Sequence, residues 1–125
     1  MIDYSTHTTD GGTLVISIHG QLENQSSQYF FDCVTDLIVA GNKKIVINFA
    51  DLGYISSVGL SALIRASSKA AKAGGTIFLA RIENQLLDIF QVVKFDQIFN
   101  VYRTEHDAIA AIEARTTAPE KQLSL

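Results

Sequence analysis

Two rhythms of apolar residues alternate along the 125 residues of this chain. Short runs with hydrophobic residues at every or every second position predict strands. Longer stretches with hydrophobic residues three and four apart predict helices. Residues 2–8 and LVISIHG (14–20) are strand-like, the second with Leu14, Ile16 and Ile18 on one face. Asp10-Gly11-Gly12 between them is a hairpin signal, because glycine tolerates positive φ, and Gly20 stops the second strand. Residues 24–40 carry Phe30, Val34, Leu37 and Ile38 at helical spacing with Cys33 beside them. Asn24, Ser26 or Ser27 is expected to cap that helix, and Gly41-Asn42 to end it. KIVINF (44–49) is an almost unbroken apolar run, as a parallel strand covered on both faces requires. Residues 57–73 predict a second helix burying Leu60, Leu63, Ile64, Ser67 and Ala71, with Arg65, Lys69 and Lys72 largely outside that stripe and Gly74-Gly75 as the stop. TIFLA (76–80) is a further strand. A helix over 83–93 presents Leu86, Ile89, Phe90 and Val93, and a short strand is expected over 98–101. A last helix over 105–114 turns Ala108, Ile109 and Ile112 inward, with Thr104 at its cap.

The order ββαβαβαβα, with a long strand–helix–strand crossover, predicts an α/β fold. We expect a mixed, mostly parallel sheet with helices packed mainly on one face, in the simplest version on that face only, and the first strand as an antiparallel edge. The length suits one domain with one core, expected over residues 1–114. Residues 115–125 hold the only proline, Pro119, and little apolar content, so a flexible C-terminal tail is expected there.

Composition narrows the function classes. The formal net charge is −3, and the Lys and Arg residues form no basic stripe, which argues against nucleic-acid binding. No stretch approaches the length of a membrane span, and MIDYSTHTT lacks the basic-then-apolar pattern of a signal peptide, so a cytoplasmic location is the expectation. Cys33 is the sole cysteine and reads as a core or near-core thiol. His7, His19 and His106 stand in separate elements without ligand spacing, so no metal is expected. No GxSxG elbow or phosphate-binding loop is present, and the chain does not read as an enzyme.

The most informative segment is DLGYISSVGLSAL, Asp51 to Leu63. It puts Ser56 and Ser57 where a strand-end loop becomes a helix. A serine there caps the helix or carries a phosphate close to free helix N–H groups, and both readings stay open on the residues alone. Asp51 is expected to end the central strand and, with Glu23, to flank the serines; the plainer alternative makes Asp51 a turn residue and Glu23 a solvated surface group. Gly59 is suited to a close backbone approach, and Arg65 either meets a partner or phosphate or lies on a solvated helix face.

This pattern resembles the STAS domain family, especially the bacterial anti-sigma factor antagonists. The resemblance is carried by DLGYISSVGLSALI (51–64), by Gly20-Gln21-Leu22-Glu23, by KIVINFADL, by Lys72-Ala73-Gly74-Gly75 and by the apolar run from Leu86 to Phe99. It covers about residues 4–114. In that family a partner kinase phosphorylates a serine two residues before a glycine; the matching positions are Ser57 and Gly59. Ser56 stands where many antagonists have aspartate, which makes it a secondary candidate. Val58 replaces a small residue, and Glu23 takes the place of an aspartate in the family's GELD-like turn.

The resemblance implies a phosphoprotein acting by partner switching in bacterial transcription control. The unphosphorylated chain would bind an anti-sigma factor with serine-kinase activity, freeing sigma factor, and phosphorylation of Ser57 would release it. A serine phosphatase would reverse the step. The kinase would use ATP, and no cofactor is expected in this chain itself. The expected partner surface comprises Leu22, Glu23, Asn24, Asp51, Ser56, Ser57, Val58, Gly59, Ser61 and Arg65. Two alternatives share the fold: a STAS signalling protein governing motility, secretion or surface-polymer production through a partner-switching kinase, and an accessory STAS subunit of a lipid or anion transporter.

Overall fold

The apolar runs become a five-stranded sheet in the order β1-β2-β3-β4-β5 in the computed structural model, which describes residues 2–117. The elements are β1 (Ile2–Thr8), β2 (Leu14–Leu22), α1 (Asn24–Val39), β3 (Lys44–Ile55), α2 (Ser57–Lys72), β4 (Thr76–Ala80), α3 (Asn84–Val92), β5 (Val101–Tyr102) and α4 (Glu105–Thr117). A 3₁₀ turn, Phe95–Gln97, lies between α3 and β5. The first two strands pair antiparallel, and each later neighbour pairs parallel. The expected α/β class, mixed sheet and antiparallel edge are therefore present. Thr9 to Thr13 form the hairpin turn, with Gly12 at φ 87°.

Alternation along the strands sorts the core into two layers. Ile16, Ile18, Ile45, Ile47 and Leu79 face a large cluster with Phe30, Val34 and Ile38 of α1, Leu63, Ala66 and Ala70 of α2, and Leu86 and Phe90 of α3. Val15, Val46, Phe78 and Ala80 point the other way and pack on Ala108 and Ile112 of α4. Three helices thus share one face and α4 takes the other, so the helices lie mainly, not only, on one side. The four apolar strand residues on the α4 side need a cover, and a crossover after the last edge strand reaches that face.

Several local expectations need correction. Strand β3 continues past Phe49 to Ile55 because β2 keeps pairing with it through His19–Leu22, across two register shifts. Asp51 therefore lies inside the strand and does not end it. On α2 the buried residues are Gly59, Ala62, Leu63, Ala66 and Ala70; Ile64 is 43% exposed, and Ala71 is exposed. Small residues let the helix sit close to its neighbours, which a hydrophobicity pattern undervalues. Glu23 is the N-cap residue of α1 in place of Asn24, Ser26 or Ser27, and the Ser26 hydroxyl accepts from the Glu23 N–H at 2.8 Å. The last strand is Val101–Tyr102 and not 98–101; Phe95 and Phe99 turn inward around a 3₁₀ turn and leave Ile98 exposed. The expected cap of α4 is present, since Thr104 Oγ1 accepts from the Asp107 N–H at 3.0 Å. Its helix runs three residues beyond Ala114, into the span expected to be tail; residues 118–125 lie outside the described residues.

Candidate functional site

Strands β2 and β3 run parallel, so both deliver their C-terminal ends to the same edge of the sheet, and Leu22 pairs with Ile55 there. Both side chains are buried. Helices α1 and α2 start directly beyond them, which places two helix N-termini side by side. The Ser56 N–H donates to the Leu22 carbonyl at 2.9 Å and locks the α2 start onto the end of β2. Glu23 and Asn24, next in the chain after Leu22 and exposed, border the serines for that reason.

The two serines have different roles. Ser56 is extended, at φ −93° and ψ 175°, and its Oγ accepts from the Gly59 N–H at 3.3 Å. Its carbonyl accepts from the Leu60 N–H at 2.9 Å. Ser56 is the N-cap and is half-buried. Ser57 is the first helical residue and is exposed. The 16-residue helix has no acidic residue in its first turn and carries Lys69 and Lys72 in its last, so its dipole is complemented at the far end and left open to an anion at Ser57.

Gly59 is required by packing. A Cβ built there would lie 2.7 Å from Ile55 Cγ1 and 2.9 Å from both Leu22 Cβ and the Leu22 carbonyl oxygen. Val58 is 42% exposed and Ser61 is exposed, so this turn presents Ser57, Val58 and Ser61 outward over a glycine pressed on the sheet end.

The remaining expected site residues divide. Leu22 and Gly59 are buried and support the surface from beneath. Arg65 is exposed, but its guanidinium carbon sits 4.3 Å from the centre of the Phe31 ring on α1. It lies eight residues, about 12 Å of helix, beyond Ser57, so the structure does not bring it to the serines. Asp51 lies four residues before Ile55, about 13 Å of strand away. Its carboxylate meets His19 Nδ1 at 3.2 Å, and it does not flank Ser57. Tyr54, near the end of β3, is 45% exposed, which the sequence pattern does not mark. At the next strand end, Arg81 Nε donates to Glu83 Oε2 at 2.6 Å. That bond holds the Glu83 carboxyl below its usual range and raises Arg81.

Among the described residues, no group of three or more His, Cys, Asp or Glu side chains could hold a metal. No described helix is long and apolar enough to cross a membrane.

A sheet flanked by helices, with a serine pair where β3 turns into α2, defines a class, and the comparisons agree with it. A family model described as the STAS domain matches residues 4–108, so this chain belongs to the STAS domain family. It is 22% identical over 102 residues to a Bordetella bronchiseptica protein provisionally named anti-sigma factor antagonist BtrV, a match covering 82% of this chain and 88% of that protein. Its fold is shared with an anti-sigma factor antagonist from Mycobacterium paratuberculosis, at 20% identity and a TM-score of 0.80 over 90% of this chain and 94% of that one. It is likewise shared with the Bacillus cell fate determinant SpoIIAA in its phosphorylated form, at 19% identity and a TM-score of 0.67 over 88% of this chain and 99% of that one. The fold is that of the anti-sigma factor antagonists.

Proposed function

We propose that this chain is a phospho-switch of the anti-sigma factor antagonist type: unphosphorylated it binds a serine-kinase partner, and phosphorylation of Ser57 releases it. The observation that carries the reading is the separation of the two serines. Ser56 is committed to capping, and Ser57 stands exposed one residue further on. The phosphorylated form of SpoIIAA supports a phosphate on a protein of this fold.

The physical consequences follow from the site. A phosphate adds about 1.5 to 2 negative charges at neutral pH. The α2 N-terminus tolerates it, because the dipole and the unpaired N–H groups of the first turn favour an anion. A partner that contacts Glu23, Asn24, Ser57, Val58 and Ser61 does not, because the dianion enters a desolvated contact already bordered by the Glu23 carboxylate. A penalty of about 3 kcal/mol lowers affinity roughly 150-fold. In this reading the partner supplies ATP and kinase chemistry, a phosphatase restores the binding form, and this chain contributes a surface and no catalytic group.

The test is affinity capture of the full chain from its native cell, with intact-mass and site-resolved phosphate analysis. A serine kinase that holds the bare chain and not the Ser57-phosphorylated chain supports the switch. Phosphate confined to Ser56 relocates the switch. A transport protein as partner, with Ser57 never modified, replaces this reading with that of a transporter subunit.

A further inference from the structure

The outer strand β1 pairs with β2 over its whole length without a register shift, and among the described residues no strand pairs with its other edge. Natural sheets guard such edges with proline, lysine or a bulge. The strand IDYSTHT has none of these; its one carboxylate, Asp3, accepts from the Tyr4 N–H at 2.8 Å. Asp3, Ser5, Thr6, His7 and Thr8 are exposed.

Its sequence is also complementary to itself. When a sheet continues through a twofold axis perpendicular to its plane, each residue keeps its face, so opposed residues have the same parity along the strand. The register that uses all of Ile2–Thr8 turns about Ser5. It sets Ile2 opposite Thr8, Asp3 opposite His7 and Tyr4 opposite Thr6 of the second copy. Both charge-bearing rungs are therefore carboxylate against imidazole. Within one chain, Asp3 already pairs in register with His19, whose Nδ1 meets Asp51 at 3.2 Å. His7 Nε2 lies 3.7 Å from Glu105. Across the axis the row then reads Asp51, His19, Asp3, and His7 and Glu105 of the second copy, with strands about 4.8 Å apart. Carboxylate and imidazole alternate through the junction and again, by symmetry, on the other rung. On the opposite face the Tyr4 ring lies 6.4 Å from that of Tyr29, which is 50% exposed beside the edge and offers apolar cover.

We propose that β1 is a self-association surface: two copies join antiparallel β1 edges about Ser5 into one continuous ten-stranded sheet. The surface is separate from the Ser57 turn. A single strand edge makes a small interface, so the dimer is weak, with a Kd of about 10–500 μM.

Analytical ultracentrifugation of the full chain over that range is the first test, with circular dichroism confirming that each variant is folded. Asp3→Lys replaces the carboxylate that faces the His7 imidazole with an ammonium, which cannot accept a hydrogen bond from it, and His7→Asp sets a second carboxylate against Asp3. Each variant alone is expected to lose about tenfold or more in self-affinity. Mixed together, the two variants set an ammonium against a carboxylate at one rung and keep the carboxylate–imidazole pair at the other, and a heterodimer should return. As a second measurement, directly opposed residues have Cα atoms about 4.5–5.5 Å apart, within disulfide reach. A Ser5→Cys chain that also carries Cys33→Ser should therefore oxidise to a covalent dimer. A chain that stays monomeric to about 1 mM, a dimer indifferent to both charge variants, or a mixture that fails to recover overturns the proposal. An edge occupied only by a strand of another protein overturns it as well.

Discussion

Replacing Gly59 by alanine tests how the site is built. Two effects oppose each other. In an open helix the change stabilises by about 1 kcal/mol, because glycine is the poorer helix former. Here the new methyl would lie 2.7 Å from Ile55 Cγ1 and 2.9 Å from Leu22 Cβ and the Leu22 carbonyl oxygen. Real Cβ atoms do not approach so closely, and the obstacles are poorly placed to yield. Leu22 and Ile55 are buried and paired in the sheet, and the Leu22 carbonyl already accepts the Ser56 N–H. Overpacking of this kind costs about 1–3 kcal/mol, and with three simultaneous contacts we place it at the upper end. The net expectation is a loss of about 1–2 kcal/mol, or roughly 4–8 °C in Tm for a domain of this size. Urea and thermal melts against a Ser68→Ala control, on the exposed side of the same helix, measure it. Amide exchange of the first turn of α2 should rise as that helix end lifts from β2. A Gly59→Ala chain as stable as the parent or more so, with unchanged exchange, would show that helix propensity wins and that the close approach of α2 is not what sets the position of Ser57.

Three further outcomes are expected. Ile112→Ala removes a fully buried side chain between α4 and the second face of the sheet, and should lower unfolding free energy by about 2–5 kcal/mol in urea melts. Glu113 Oε2 accepts hydrogen bonds from the Thr9 and Thr13 hydroxyls, each at 2.7 Å, and these bonds hold its carboxyl below the usual carboxylate range. The stabilisation is therefore complete above the unfolded-state pKa of about 4.3 and is lost as pH falls through the lower folded value; parent minus Glu113→Gln stability, measured from pH 7 to pH 3, should shrink as the pH drops. Arg65→Ala removes the guanidinium from the Phe31 ring, and should cost about 0.5–1 kcal/mol in chemical denaturation.

Much of this arrangement is legible in the sequence because it rests on local signals. Alternating and continuous apolar runs place β2, β3 and β4, and the change of period after Ile55 puts Ser56 and Ser57 at a strand–helix junction. What was hidden depends on partners distant in the chain. The continuation of β3 through Asp51, Gly53 and Tyr54, all exposed, is imposed by β2. The buried face of α2 is lined by Gly59, Ala62, Ala66 and Ala70, whose value lies in their small size against a close neighbour. The location of α4 on the second face follows from Val15, Val46 and Phe78, residues of three different strands that share a side only once the register is set. Arg65, expected either to meet a partner or phosphate or to lie on a solvated helix face, stacks over the Phe31 ring of α1, a contact between helices that only the fold reveals.

The division between Ser56 and Ser57 makes a paired prediction, which bears on whether the proposed switch could add charge to the surface without disturbing the fold. The Ser56 hydroxyl accepts from an otherwise unsatisfied helix N–H, so Ser56→Ala should cost about 1 kcal/mol, the usual loss for an N-cap. Ser57 is exposed and contributes no cap, so Ser57→Ala should stay within about 0.5 kcal/mol of the parent. Ser57→Asp adds a negative charge in the first turn of a helix that has none, and should be neutral or slightly stabilising, by about 0.3–1 kcal/mol at low salt. Denaturant melts of the three variants decide the matter without any partner protein. If Ser57→Asp were clearly destabilising, phosphate at this position would disturb the domain itself, and a switch confined to the partner surface would have to be abandoned. If Ser56→Ala were neutral and Ser57→Ala costly, the roles of the two serines would be reversed, and Ser56 would become the residue free to carry the charge.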